Sequence, residues 1–261
     1  MCTVIIDVPT DPADPVRLLA IRDEDPNRPW NPLGHWWPPH PSILGVQDAR
    51  AGGAWLAADA DTRRVAVLLN RAGGDELPDE AVVSRGTLPL DAVRGILPGD
   101  RPRMRGFNLL VAEPGRARVI SWDGEHRRET EIDPGIHMIA HDDVDDPATA
   151  RISHWLEHFR TAIPDAAPTA SDAPEGPGAA QGSGAPKGDT AADWFAPWLR
   201  VLARSADLGP VDDRAIIRDN RPLGYPTLSL LVCAATIGPD DIEVRYADLP
   251  APGEWGDLHL H

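Results

Sequence analysis

The sequence predicts a single β-dominated domain with few helices. Short runs rich in Val, Ile, Leu and Ala recur through the first half, mostly 5–7 residues long and bounded by Pro, Gly or Asp, as strands are. Helical periodicity is confined to three stripes. The 261 residues, 42% of them apolar, suffice for one sizeable core. In chain order the expected strands are Cys2–Val8, Val16–Ile21, Ala54–Ala58, Val65–Asn70, Asn108–Glu113, Arg118–Trp122, Gly135–His141, Leu228–Ala235 and Ile242–Ala247. Leu228–Ala235 reads as a continuous apolar run apart from Ser229, the pattern of a strand buried on both faces.

The helical stripes are Leu90, Val93 and Leu97; then Ile152, Trp155, Leu156, Phe159 and Ile163; then Trp194, Trp198, Leu199 and Leu202. Their i, i+3, i+4 spacing is that of one helix face. Asp189 or Thr190 is the expected cap of the third. Between the second and third stripes, residues 164–189 are almost wholly Pro, Ala, Gly and Ser. Such a segment cannot bury enough surface to offset its ordering entropy, so it reads as a disordered insert in one domain spanning 1–261.

Composition narrows the function. Twenty-five basic against 41 acidic residues give a formal charge of −16. That disfavours a nucleic-acid backbone or an anionic membrane as partner. Two cysteines cannot build a disulfide framework, and the first residues lack the basic start of a signal peptide. No run approaches the ~20 apolar residues of a membrane span. The expectation is a cytoplasmic protein with no membrane insertion, no metal and no cofactor, acting on a small molecule. The oligomeric state is left open.

Cys2 is the sharpest candidate for chemistry. Removal of Met1 would leave a thiol and a free α-amine on one residue. Their ordinary pKa values, ~8.5 and ~7.7–8.0, let them exchange a proton near neutral pH, which makes a nucleophile with its own base. The second expected strand runs into Arg22, Asp23 and Glu24. If the first two strands pair, Asp23 holds the α-ammonium, and Arg22 either lowers the thiol pKa or receives a substrate carboxylate. Trp30, Trp36 and Trp37 lie in a Pro-rich segment that is no helix and no central strand. They read as a rigid cap on the core or as an apolar wall beside a pocket. Gly52-Gly53 before Trp55 reads as a tight turn that lets backbone approach a neighbour closely, or as a substrate contact.

Several motifs share one order: Met1-Cys2-Thr3, Ile21-Arg22-Asp23-Glu24, Arg28-Pro29, Trp36-Trp37-Pro38, Ala51-Gly52-Gly53-Ala54-Trp55-Leu56, Asn70, Ser84-Arg85-Gly86, Phe107-Asn108-Leu109-Leu110 and Pro134-Gly135-Ile136-His137. This set resembles the NRDE family, also called the transport-and-Golgi-organisation family, over residues 2–147 and more loosely over 207–247. The resemblance implies an α+β fold, a four-layer αββα sandwich of antiparallel sheets as in N-terminal-nucleophile hydrolases. It further implies an amidohydrolase-like site with Cys2 as nucleophile and base, Asp23 orienting its amine, Arg22 assisting and Asn70 as oxyanion donor. Trp30, Trp36, Trp37, Gly53 and Trp55 would contact substrate.

Three departures from the family pattern stand out. Ile21 replaces the leading Asn, Ala140-His141 replaces Ser-Asn, and Pro226 stands where the late arginine is expected. His141 is then the candidate acid or donor, and Arg218 or Arg221 the candidate spatial replacement. The alternative on the same fold is a carrier for haem, a lipid or another apolar ligand lined by the tryptophans.

Other constellations carry less. His154 and His158 of His154-Trp155-Leu156-Glu157-His158 fall opposite the apolar stripe, so they read as solvated rather than as metal ligands. Cys233 reads as core, and the acids around Asp142–Asp146 as a solvated turn.

Overall fold

The computed structural model describes residues 2–74, 78, 81–162 and 194–261. Its strands and helices are β1 (Thr3–Val8), β2 (Val16–Glu24), β3 (Trp30–Gly34), β4 (Ile43–Asp48), β5 (Ala54–Asp59), β6 (Arg64–Asn70), α1 (Leu88–Val93), β7 (Phe107–Glu113), β8 (Arg116–Trp122), β9 (Arg127–Ile132), β10 (Gly135–Ile139), α2 (Ala150–Thr161), α3 (Ala196–Ala206), β11 (Leu228–Ile237) and β12 (Ile242–Asp248). They form a five-stranded sheet of order β10-β1-β2-β11-β12 and a seven-stranded sheet running β3 to β9 in sequence order. Every paired neighbour is antiparallel.

Side-chain alternation sorts the core into three layers. Val4, Ile6 and Val8 of β1 face Val65, Val67 and Leu69 of β6 between the sheets. Ile5, Leu19 and Ile21 point the other way, under Trp155 and Phe159 of α2 and Trp198 of α3. On the far side of the second sheet, Ala57, Ala66 and Leu109 pack against Leu88, Ala92 and Val93 of α1. The fold is therefore α+β, two antiparallel sheets between helical layers. Each fully buried Leu or Ile of this core contributes about 1.5–3 kcal/mol.

The sequence reading did not anticipate β3, β4 and β9. β3 is an edge strand, which is why Pro32 is tolerated there. β4 contains Gly45, where a Cβ would lie 2.3 Å from the Leu56 carbonyl oxygen, so close strand packing excludes a side chain. β9 is the opposite edge and carries exposed Arg128, Glu129 and Glu131, charges that discourage edge pairing. α3 begins with Pro197 in its first turn, after Phe195. The expected caps Asp189 and Thr190, and the segment 164–189, lie outside the described residues. Among the described residues, no helix is long and apolar enough to cross a membrane.

Candidate active site

The site grows from the pairing of β1 and β2, in which Thr3 lies opposite Ile21. That register brings the start of the chain beside Arg22 and Asp23. Cys2 continues the inward parity of Val4 and Ile6 and lies in the core between the sheets, 6% exposed. Its sulfur accepts from the Asp23 backbone N–H at 3.4 Å and donates to the Asp23 carbonyl at 3.6 Å. Burial, followed by the Asp23 charge, pushes the thiol pKa up.

Arg22 and Asp23 are both buried and belong to opposite faces of the first sheet. Arg22 sits on the inter-sheet side, with its guanidinium 5.7 Å from the Trp30 ring and 3.6 Å from Glu24. Asp23 sits on the helix side, where its Oδ1 accepts from Ser229 Oγ at 2.6 Å. The same Ser229 oxygen accepts the Arg218 backbone N–H at 2.9 Å. Nearby, Arg151 of α2 donates from Nη1 to Thr3 Oγ1 at 2.9 Å. Burial pushes the Arg151 guanidinium down, and the neighbouring Asp23 charge opposes that.

Two β-bulges flank this corner. In β11 the register shifts between Ser229, opposite Asp23, and Leu231, opposite Arg22. Leu230 is the extra residue, and both it and Leu231 turn into the inter-sheet core. In β5 the shift leaves Trp55 extra between Ala54 and Leu56. Bulges re-aim side chains in this way beside functional sites.

Cys2 lines a cavity of about 290 Å³ together with Arg22, Glu24, Trp55, Asn70 and Arg85 among others. Asn70, exposed at the end of β6, also lines a second cavity of about 660 Å³. That second space is walled by His141, Arg151, Arg218, Tyr225 and Pro226, among others. His141 Nε2 lies 3.2 Å from Asp142, and burial holds the imidazole pKa below its ordinary value. The segment Ala140–Asp142 is tied to the second sheet by Asn108, whose Nδ2 donates to the Ala140 and Asp142 carbonyls at 3.1 and 2.7 Å.

Residues 1–175 match the family described as Transport and Golgi organisation 2. The chain belongs to that family. Among solved structures, it is similar to the Caenorhabditis elegans N-acylethanolamine-hydrolyzing acid amidase ortholog. The TM-score is 0.51 at 12% sequence identity, covering 92% of this chain and 95% of that one. At that identity the likeness shows the fold alone, antiparallel sheets between helical layers. No curated protein matches the chain.

In this family member, Cys2, Arg22, Asp23, Asn70 and Trp55 line one cavity. His141 lines the neighbouring one. Arg218, buried and bonded to Asn220 and the Asp212 carbonyl, lies at that second cavity, whereas Arg221 is exposed and paired with Asp219.

The other tryptophans are used elsewhere. Trp30 packs on the inter-sheet core and donates to the Tyr246 hydroxyl at 3.4 Å. Trp37 closes the outer face of the second sheet and donates to the Gly52 carbonyl at 2.9 Å. Trp36 lies at the surface and donates to the Pro32 carbonyl at 2.7 Å. Of the expected aromatic contacts, Trp55 lines the Cys2 cavity, whereas Trp30, Trp36 and Trp37 are not among its lining residues. What approaches Gly53 is protein: a Cβ there would meet the Gly86 backbone at 2.5 Å.

Four residues at the site had no assigned role in the sequence reading. Arg85 and Asn108 stood inside the ordered motifs and Ser229 inside an expected strand, so their positions were visible without their partners. Arg151 gave no signal, because a charged residue on a helix ordinarily faces water. Cys233 is core, and burial pushes its thiol far up. The acidic turn is held internally, with Asp145 bonded to His137 and Arg160, and Asp143 to Arg71 and Arg128. Among the described residues, no cluster of three or more His, Cys, Asp or Glu side chains is arranged to hold a metal ion.

Proposed function

We propose that this protein is a cysteine amidohydrolase of the N-terminal-nucleophile type, acting on a small amide through an acyl-Cys2 intermediate. The observation that supports it most is that Cys2, Asp23 and Asn70 line one cavity, with the Cys2 sulfur accepting the Asp23 backbone N–H. Loss of Met1 frees the Cys2 α-amine at the end of β1, beside Asp23. The buried thiol holds its proton, and the amine, with an ordinary pKa of ~7.7–8.0, takes it as the sulfur attacks the carbonyl carbon.

Asn70 Nδ2 donates to the resulting oxyanion. The ammonium then protonates the leaving nitrogen as the carbon–nitrogen bond breaks. Water cleaves the thioester, releasing the acid and restoring the thiol. Asp23, fixed by Ser229, orients the amine throughout. His141, kept neutral by burial, is the acid or donor on the leaving-group side. The carrier alternative drew on a tryptophan wall, and of those four tryptophans only Trp55 lines the Cys2 cavity.

Intact-mass spectrometry tests the reading. The purified protein is expected to lack Met1 and to gain one acyl mass when treated with an activated ester, with the adduct localised to Cys2. A retained Met1, or acylation spread over other residues, overturns it.

A further inference from the structure

Two of the residues that wall the cavity beside Cys2 carry a hydrogen-bond donor without a partner among the described residues. Arg22 is 3% exposed and Trp55 6% exposed. Arg22 Nη1 and Trp55 Nε1 are both buried, and neither has a hydrogen-bond partner among the described residues. A guanidinium N–H and an indole N–H only donate, so the missing partner is an acceptor. Buried donors are rarely left unmatched, and those that are ask for an explanation.

Arg85 adds charge at the same wall. It donates to the Gly106 carbonyl and, among the described residues, forms no ion pair with a carboxylate. Arg28 and Arg105 line the cavity as well, and Arg28 is engaged by Asp48. Glu24 lies 3.6 Å from Arg22 and 4.0 Å from Arg28, outside hydrogen-bond range of either. Burial, then the Arg105 charge, pushes the Arg85 guanidinium pKa down, and the Glu24 charge opposes that.

We propose that this cavity seats a carboxylate carried by the acyl half of the substrate, so that the preferred substrates are monoamides of small dicarboxylic acids. The acceptor oxygens take the free N–H groups of Arg22 and Trp55, and Arg85 supplies the balancing charge. At about 290 Å³ the space is at the small end for ligand sites, which suits a short acyl chain. The amine half passes Asn70, which borders both cavities, into the 660 Å³ space beside Leu223, Tyr225 and Pro226. Substrate choice in this form rests on the hydrolase reading; the carboxylate seat itself does not.

In the hydrolytic cycle, the Cys2 sulfur–carbon bond forms as the amide carbon–nitrogen bond breaks. Water then replaces sulfur. One water is consumed, and a dicarboxylic acid and an amine are released.

The test separates the two ideas. Titration calorimetry on the full-length Cys2→Ala protein compares glutaric acid monoanilide with its methyl ester. The acid is expected to bind at least tenfold more tightly. That ratio should collapse towards one in Cys2→Ala/Arg85→Gln, be partly restored with Arg85→Lys, and fall in Cys2→Ala/Trp55→Phe. Equal binding of acid and ester, or no binding of either, overturns the seat. Turnover of the acid by the Met1-trimmed native protein is measured alongside. Arg85-dependent binding without turnover leaves the seat standing and sinks the hydrolase. Turnover with no preference for the acid does the reverse.

Discussion

The inner and outer faces of the first sheet, where β1 and β2 meet, have opposite characters. Inward lie Cys2 and Arg22, beside an open cavity with unmatched donors. Outward lie Thr3 and Asp23, held by Arg151 and Ser229 in a polar network. Strand alternation alone makes this division, because neighbours in a strand point to opposite faces. It teaches that a thiol and a carboxylate one residue apart in register need a group at the strand terminus to couple them. In the proposed mechanism that group is the α-amine freed on Cys2 by loss of Met1, belonging to neither face. The inner face thus borders a cavity, and the outer face a polar network beneath the helices.

Substitutions on the two faces test that division. Cys2→Ala on the inner face is expected to lower kcat/KM for an amide substrate by more than ~10³-fold. It should cost only about 1 kcal/mol in urea unfolding, because a small apolar residue replaces another. Asp23→Asn on the outer face is expected to cost on both counts. Turnover should fall ~10²-fold with an altered pH–rate profile, and stability by about 1–3 kcal/mol as a buried charge-assisted bond is weakened. If Cys2→Ala proved as destabilising as Asp23→Asn, the division of labour would be wrong. Ser229→Ala removes only the hydroxyl. Calorimetric melting should show a loss of about 1 kcal/mol, with kcat reduced less than in Asp23→Asn.

The smallest effect concerns pH. Burial lowers the His141 pKa in the folded protein below its ordinary ~6.5. Protonation therefore favours the unfolded chain. The associated stability is fully present above ~6.5 and is lost as pH falls through the folded value. His158 shifts in the same direction. Urea midpoints measured across that acidic window should decline in the native protein and decline less in His141→Gln.

The fold was legible wherever apolar runs carried it. β1, β2, β5 to β8, β10, β11 and β12 announce themselves by composition and by the Pro, Gly and Asp that end them. The edge strands were hidden, because β3 contains a proline and β9 is mostly charged, and edges tolerate both. Cys2, Arg22 and Asp23 were legible because two adjacent strands bring a chain start and a strand end together. The partners of Asp23 were not, since Ser229 is 206 positions away and is aligned by a bulge that no local pattern reveals. Nor did the tryptophans disclose their faces, since that depends on which strand carries them.

The contact between Gly53 and Gly86 sets a gauge. Two backbones meet there with only hydrogens between them, and the second belongs to the turn bearing Arg85. A single methyl at Gly53 would force that turn upward and lift the cation away from its neighbours. The dimensions of the chamber are therefore written in what two positions lack, and relatives with a bulkier residue there would admit guests of a different girth.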